Sequence, residues 1–224
     1  MSTAGIGRRV LVLGGTGYLG SRVIPLLQNH KHRVVAAARP VSAGLLPRTC
    51  TPLIGDALDP AFLAANLNQI HTIIQLIGTP KPAPWKGEQF RAVDRVAGLA
   101  SIQAAAEARV PHFIYVSVAH PAPVMKDYIA VRTECEMALR DSGLRATVLR
   151  PWYILGPGHW WPLLLKPGYW LCERHSRWRE AALRLGLLTL QEMLAALRWA
   201  VDHPAENVRI LEVPGIRTLG HVQT

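Results

Sequence analysis

The chain has 224 residues, enough to bury one well-filled core and too few for a large second domain. Half of them are hydrophobic and 18% are charged, a globular balance that excludes a disordered or low-complexity chain, and no internal repeat is visible. The formal charge of +10 favours polyanionic partners, but the basic residues are spread out with no recognition helix or RNA-binding motif, so specific nucleic-acid binding is not expected.

Met1 to Gly7 is short and polar and lacks the apolar core of a signal peptide, which predicts a cytoplasmic protein. The apolar run Val10-Leu11-Val12-Leu13 then reads as a buried strand, broken by Gly14-Gly15-Thr16-Gly17-Tyr18-Leu19-Gly20. Three glycines at this spacing have distinct uses. Gly14 lets the strand turn sharply, Gly17 lets backbone N–H groups approach a pyrophosphate, and Gly20 lets the following helix lie tight against the sheet. Leu19, Val23, Leu26 and Leu27 recur at helical spacing, so the loop opens into the positive end of a helix dipole, with a kink expected at Pro25.

A second strand, Arg33 to Arg39, ends about twenty residues further on. An acid at that point would hold the ribose 2′-hydroxyl of NAD, whereas a guanidinium accommodates the 2′-phosphate of NADP. Arg39 therefore favours NADP, with NAD the weaker alternative. After a loop with Pro40, Gly44 and Pro47 come the apolar segment Thr51 to Ile54 and the turn Gly55-Asp56. Asp59-Pro60 has the form of a helix N-cap with proline at the first position, opening a short helix to about Asn68.

Thr72 to Ile77 is apolar almost throughout, as a central parallel strand should be, and Lys81 to Trp85 is a proline-rich loop. Glu88 to Ala108 predicts a long helix, His112 to Val118 a strand, Asp127 to Asp141 a helix ended by Ser142-Gly143, and Ala146 to Arg150 another strand. This alternation predicts a doubly wound parallel sheet of Rossmann type with helices on both faces, ligands binding at the carboxyl ends of the strands. Trp152 to Trp178 holds five of the seven tryptophans among glycines and prolines, and long regular structure is not expected there. A helix from Thr189 to Asp202 and a strand from Arg209 to Val213 close the chain. The cysteines Cys50, Cys135 and Cys172 lie far apart without a C-x-x-C pair and read as buried or half-buried thiols, not as a disulfide framework or zinc site. No metal site is expected; His30 and His32 fall in a charged turn and read as solvated.

With these residues in view, the chain resembles the atypical short-chain dehydrogenase/reductases, in particular the NmrA-like proteins and the nucleotide-binding accessory subunit of respiratory complex I. The resemblance spans Arg9 to about Gly215. It rests on the glycine loop, Gly55-Asp56, His112-Phe113-Ile114-Tyr115-Val116-Ser117, Glu134-Cys135-Glu136 and Leu149-Arg150-Pro151.

The resemblance implies that Gly14, Thr16, Gly17, Tyr18 and Leu19 touch the pyrophosphate, Arg39 the 2′-phosphate, and Asp56 with Ala57 the adenine. It places Gly78 and Thr79 beside the ribose, and Pro151, Tyr153 and Ile154 on the nicotinamide side. Family reductases use a tyrosine four residues before a lysine; here the pair is Tyr128 and Arg132. An arginine keeps the charge that favours tyrosinate but hardly deprotonates, so a proton relay through it is implausible. Ser117 ends its strand where it would contact cofactor, while the catalytic serine of the family falls about two residues later, at Ala119, with His120 as a possible stand-in.

Residues 1–224 thus read as a single NAD(P)-binding domain, with 152–188 a small lid or substrate-side insertion. Trp152, Tyr153, Trp160 and Trp161 either line a hydrophobic pocket or form the lid's own core. The chain reads as an NADPH-dependent reductase of a hydrophobic carbonyl or quinone-like substrate; the alternative is a non-catalytic NAD(P)-binding sensor or assembly protein of the NmrA-like type. For the second, the Trp- and Arg-rich segment 152–184 would meet a protein or a membrane surface.

Overall fold

The computed structural model describes residues 7–158 and 176–221. Its strands are β1 (Arg9–Leu13), β2 (Arg33–Ala38), β3 (Thr51–Ile54), β4 (Thr72–Gln75), β5 (His112–Val116), β6 (Ala146–Arg150), β7 (Tyr153–Leu155), β8 (Leu187–Thr189) and β9 (Val208–Glu212). Seven of them form one sheet in the order β3-β2-β1-β4-β5-β6-β9, parallel at every step, and β7 pairs with β8 in a separate parallel ribbon. The order reverses direction between β1 and β4, which opens a crevice at the carboxyl edge where ligands of such sheets bind.

Helices cover both faces. They are α1 (Gly20–Asn29), α2 (Pro60–Asn66), α3 (a continuous run through Gly87–Gln89, Phe90–Arg95 and Val96–Glu107), α4 (Lys126–Asp141), α5 (Ser176–Arg184), α6 (Leu190–Asp202) and α7 (Val213–His221). Strand alternation sorts the apolar residues into two cores. Val10, Val12, Val34, Ala36, Ile74 and Ile114 pack against Val23, Ile24 and Leu27 of α1 and Met193, Ala196 and Leu197 of α6. Leu11, Leu13, Val35, Ile73, Phe113 and Tyr115 pack against α2, α3 and α4. The edge strand β3 is largely exposed and carries Pro52, which only an edge tolerates.

Most expected elements are present, with instructive differences. Strands β4 and β5 stop two residues short of the expected ends, although Leu76 N still donates to Leu13 O at 2.9 Å and Ser117 N to Leu149 O at 2.8 Å. The middle of α3, Phe90–Arg95, is a π-helical turn, a bulge that no apolar period reports. Asp59 caps α2 by accepting from Ala61 N at 2.9 Å, as Asp59-Pro60 indicates. α1 runs through Pro25 to Asn29. The β7–β8 pair and α7 were not anticipated: three-residue strands are too short to show a period, and Pro214 falls within the first turn of α7, where its missing N–H costs nothing. His32 is not solvated; it is buried and its Nε2 lies 3.0 Å from Asp202 Oδ1 of α6. Cys50 and Cys135 are buried free thiols. Cys172, Trp160 and Trp161 lie outside the described residues. Among the described residues no helix is long and apolar enough to cross a membrane.

Candidate functional site

The glycine loop joins β1 to α1 at the reversal point of the sheet. Gly14 has φ +87°, and a Cβ there would meet the backbone of Leu76 and Ile77 at 2.9 Å, so only glycine makes this turn. Gly20 is tighter: a Cβ would lie 2.2 Å from Gly14 O, so the helix start presses directly on the strand end. Gly17 N donates to Gly14 O at 3.0 Å and closes the turn. The N–H groups of Thr16 and Leu19, at the mouth of α1, have no hydrogen-bond partner among the described residues. Orphan donors on a positive helix end form a cradle for a diphosphate. Arg22, one turn into α1, donates from Nη1 to Tyr18 O at 2.7 Å and lies 4.3 Å from the Tyr18 ring centroid. Its four-residue spacing from Tyr18 is the signal that would have marked it. Tyr18 in turn packs on Gly156, where a Cβ would meet its hydroxyl at 2.2 Å, so the loop is braced against the turn that follows β7.

Along the rim, Arg39 is exposed just beyond β2 and its guanidinium forms no ion pair among the described residues. Asp56 Oδ1 accepts from Leu58 N at 3.0 Å and holds the turn after β3, and Ala57 is buried beneath it. Pro151 O accepts from Ala119 N at 2.9 Å, which ties the β6 exit to the loop after β5. Tyr153 and Ile154, half-buried, continue from there, and Trp152 meets the Tyr153 ring edge-on at 5.4 Å.

Of the three positions associated with chemistry, Arg132 and Ser117 are buried and bonded inside the protein and Tyr128 is half-buried. Arg132, 5% exposed, donates from Nη2 to Asp94 Oδ1 at 2.6 Å and from Nη1 to Val116 O at 2.9 Å. Asp94, 1% exposed, accepts at its other oxygen from Thr79 N at 2.9 Å and Thr79 Oγ1 at 2.6 Å. Gly78 makes room for this pair, since a Cβ there would sit 2.5 Å from Arg132 Nη2 and 2.9 Å from Asp94 Oδ1. Burial works against the Arg132 charge, but Tyr115, Tyr128 and Asp94 reverse that and hold the guanidinium protonated well above its ordinary range. Tyr128 is half-buried, its ring 5.0 Å from Arg132 Cζ and 4.9 Å from the Phe90 ring.

Ser117 donates to Glu136 Oε1 at 2.6 Å. Glu136 also accepts from Arg150 Nε at 3.0 Å and from Arg150 Nη2, and His120 Nε2 stands 3.6 Å away. Burial raises the Glu136 pKa, but the bonds from Arg150 and Ser117 outweigh it and hold the carboxyl below its ordinary value. The fold therefore brings Ser117, Tyr128 and Arg132 to one end of the sheet, with Ser117 and Arg132 each paired to a buried carboxylate. Asp94 was not singled out from the sequence. The signal was its place at helical spacing between the buried Phe90 and Ala97–Gly98, an acid on an apolar face.

Gly14 to Leu19 would hold the diphosphate of a dinucleotide, and the orphan N–H groups of the loop fit such a group; Arg39 and Asp56 lie just beyond the carboxyl ends of β2 and β3. A family described as NAD(P)H-binding matches residues 14–157. Similar solved structures include the Bordetella bronchiseptica enzyme WbmH in complex with NAD+ (19% identity, TM-score 0.68, covering 92% of this chain and 75% of that one). A short-chain dehydrogenase/reductase superfamily protein from Agrobacterium tumefaciens with bound NAD is alike at 17% identity and TM-score 0.66, covering 92% and 77%. The UDP-glucose 4-epimerase of Thermus thermophilus in complex with NAD is alike at 15% identity and TM-score 0.66, covering 95% and 81%. At these identities the likeness is one of fold. Among curated protein sequences none matches.

Proposed function

The chain belongs to the NAD(P)H-binding family and has the fold of an atypical short-chain dehydrogenase/reductase, and on that premise we propose that it binds NADP(H) in preference to NAD(H) and acts by binding, without carbonyl reduction of its own. The observation that carries this reading is the buried Arg132–Asp94 pair at 2.6 Å. A bound nicotinamide supplies a hydride; a reduction also needs a side chain that delivers a proton. Arg132 does not release one at any ordinary pH, and its guanidinium is turned to Asp94 and Val116 O. The Ser117 proton is committed to Glu136. Tyr128 is left without the hydroxyl and ammonium partners that would tune it for general acid work. Selectivity for NADP(H) rests on Arg39, a cation with no ion pair among the described residues, at the end of β2 where an acid would select NAD(H).

In this reading the cofactor reports cellular redox state to a partner, and the partner contact falls on the Trp- and Arg-rich stretch 152–184. A second reading, reduction of a hydrophobic carbonyl or quinone, is favoured by the half-buried Tyr128 and the Trp152–Tyr153 ring pair near the crevice. Calorimetric titration of the purified chain with NADPH and with NADH tests the first claim, and NADPH oxidation in the presence of quinones and aldehydes tests the second. Tight NADPH binding with no oxidation supports the proposal. Steady turnover of any of these substrates replaces it with the reductase reading, and binding of neither nucleotide overturns both.

A further inference from the structure

The crevice at the carboxyl edge of the sheet does not account for the basic residues gathered at the opposite edge. There a cavity of about 630 Å³ is lined by Arg9, Arg33, Thr51, Gln69 and His71, among others, and by no acidic side chain. These residues come from four consecutive strands or their amino ends, in the sheet order β3, β2, β1, β4. Arg9 and Arg33 are register partners, and the ladder extends one residue to His71, whose N–H donates to Arg9 O at 2.9 Å. Side-chain alternation puts them on one face: Arg9 shares the face of Leu11 and Leu13, Arg33 that of Val35 and Ala37, and His71 that of Ile73, all of these apolar residues belonging to the same core. Three donors thus stand side by side at the strand spacing of about 4.8 Å, with Thr51 one step away on β3.

Like charges directly opposite on neighbouring strands are destabilising. Here nothing among the described residues relieves them. Arg9 Nη1 donates to the neutral Gln69 Oε1 at 3.1 Å, and the Arg33 guanidinium has no partner among the described residues. His71 Nδ1 accepts from Arg9 N at 3.4 Å, which leaves Nε2 to donate into the cavity. A local rule broken without internal compensation marks a place where an outside group completes the structure. A concave site favours a small molecule over an extended polyanion, which would need a continuous basic track.

We propose that this cavity is a second anion site, for a small molecule carrying a diphosphate or two nearby phosphates, a strand length of roughly 15 Å from the dinucleotide crevice. Arg9 and Arg33 bracket the anion, and His71 and Thr51 complete it as hydrogen-bond donors.

The test is calorimetric titration of the full chain with inorganic pyrophosphate, with and without saturating NADPH, alongside Arg33→Ala and Arg9→Ala. One pyrophosphate should bind while NADPH is present, because the loop between β1 and α1 is then filled, and either substitution should weaken that binding at least tenfold. Without pyrophosphate, the Arg33→Ala protein should melt at or above the wild-type temperature, since removal of an exposed like charge relieves repulsion; a folded, stable variant keeps the binding result interpretable. The proposal is overturned if pyrophosphate fails to bind beside NADPH, or if Arg33→Ala binds it as well as wild type does. It is equally overturned if single-stranded RNA or anionic lipid vesicles bind through Arg33 while pyrophosphate does not. Should the chain fail to bind NADPH at all, the Arg33 arm still decides this site by itself.

Discussion

Replacing Asp94 by asparagine isolates the contact on which the functional reading turns. The side chain keeps its volume but loses its charge, and Arg132, 5% exposed and bonded to it at 2.6 Å, becomes a buried cation without a counter-ion. Breaking one member of such a pair costs about 3–5 kcal/mol. For a domain of this size each kcal/mol lowers the melting temperature by about 2–4 °C, so Asp94→Asn should melt roughly 6–20 °C below wild type. Arg132→Met in the Asp94→Asn background removes the stranded charge as well, and should recover a large part of the loss because the long apolar chain fills the same space. Urea denaturation followed by circular dichroism gives all four corners of the cycle, with an expected coupling of about 2 kcal/mol or more. A loss under about 1 kcal/mol for Asp94→Asn, or additive single substitutions, would show that the guanidinium is not held by Asp94. It would then be free to face the cofactor, and the argument against turnover would fall.

Arg39→Ser should cost NADPH roughly ten- to a hundredfold in affinity, the worth of a charged hydrogen bond, and leave NADH unchanged; equal losses for both nucleotides would remove Arg39 from the 2′-phosphate. Gly20→Ala places a methyl group 2.2 Å from Gly14 O and 2.7 Å from Gly15 Cα, backbone atoms that have nowhere to go. It should cost about 2 kcal/mol or more and abolish nucleotide binding, whereas Gly44→Ala, with no atom within 4 Å, should be neutral in both assays. Burial first, then Arg209 and Arg8, lowers the His112 pKa from 6.5 to about 4. The unfolded chain therefore binds a proton through that window while the folded one does not, and the protein should lose about 3 kcal/mol as pH falls from 6.5 to 4. His112→Gln should flatten that slope in pH-dependent urea titrations; an unchanged slope assigns it to other groups.

The chain order of elements, the parallel sheet and the phosphate loop were legible in the sequence because each depends on residues close together along it. Apolar runs such as Val10 to Leu13 exclude every position but a central strand. The spacing of Gly14, Gly17 and Gly20 states a turn, a close approach and a helix start within seven residues. Thr189, which caps α6 in a reciprocal bond with Glu192, is local in the same way. The pairing of charges was not. Asp94 and Arg132 are 38 residues apart and Arg150 and Glu212 are 62 apart; the first pair meets only because α3 packs on α4, with Asp94 buried in the π-helical turn, and the second only because β6 and β9 are neighbours in the sheet with these two residues in register. His32 shows the same limit, since its partner Asp202 is 170 residues away. Sequence alone determined that this chain builds a dinucleotide crevice, because backbone geometry at glycines and strand ends makes one. Whether the side chains at its floor are free for chemistry or spent on one another was decided only by tertiary structure, since a buried charge takes whichever partner the packed helices bring within hydrogen-bond reach.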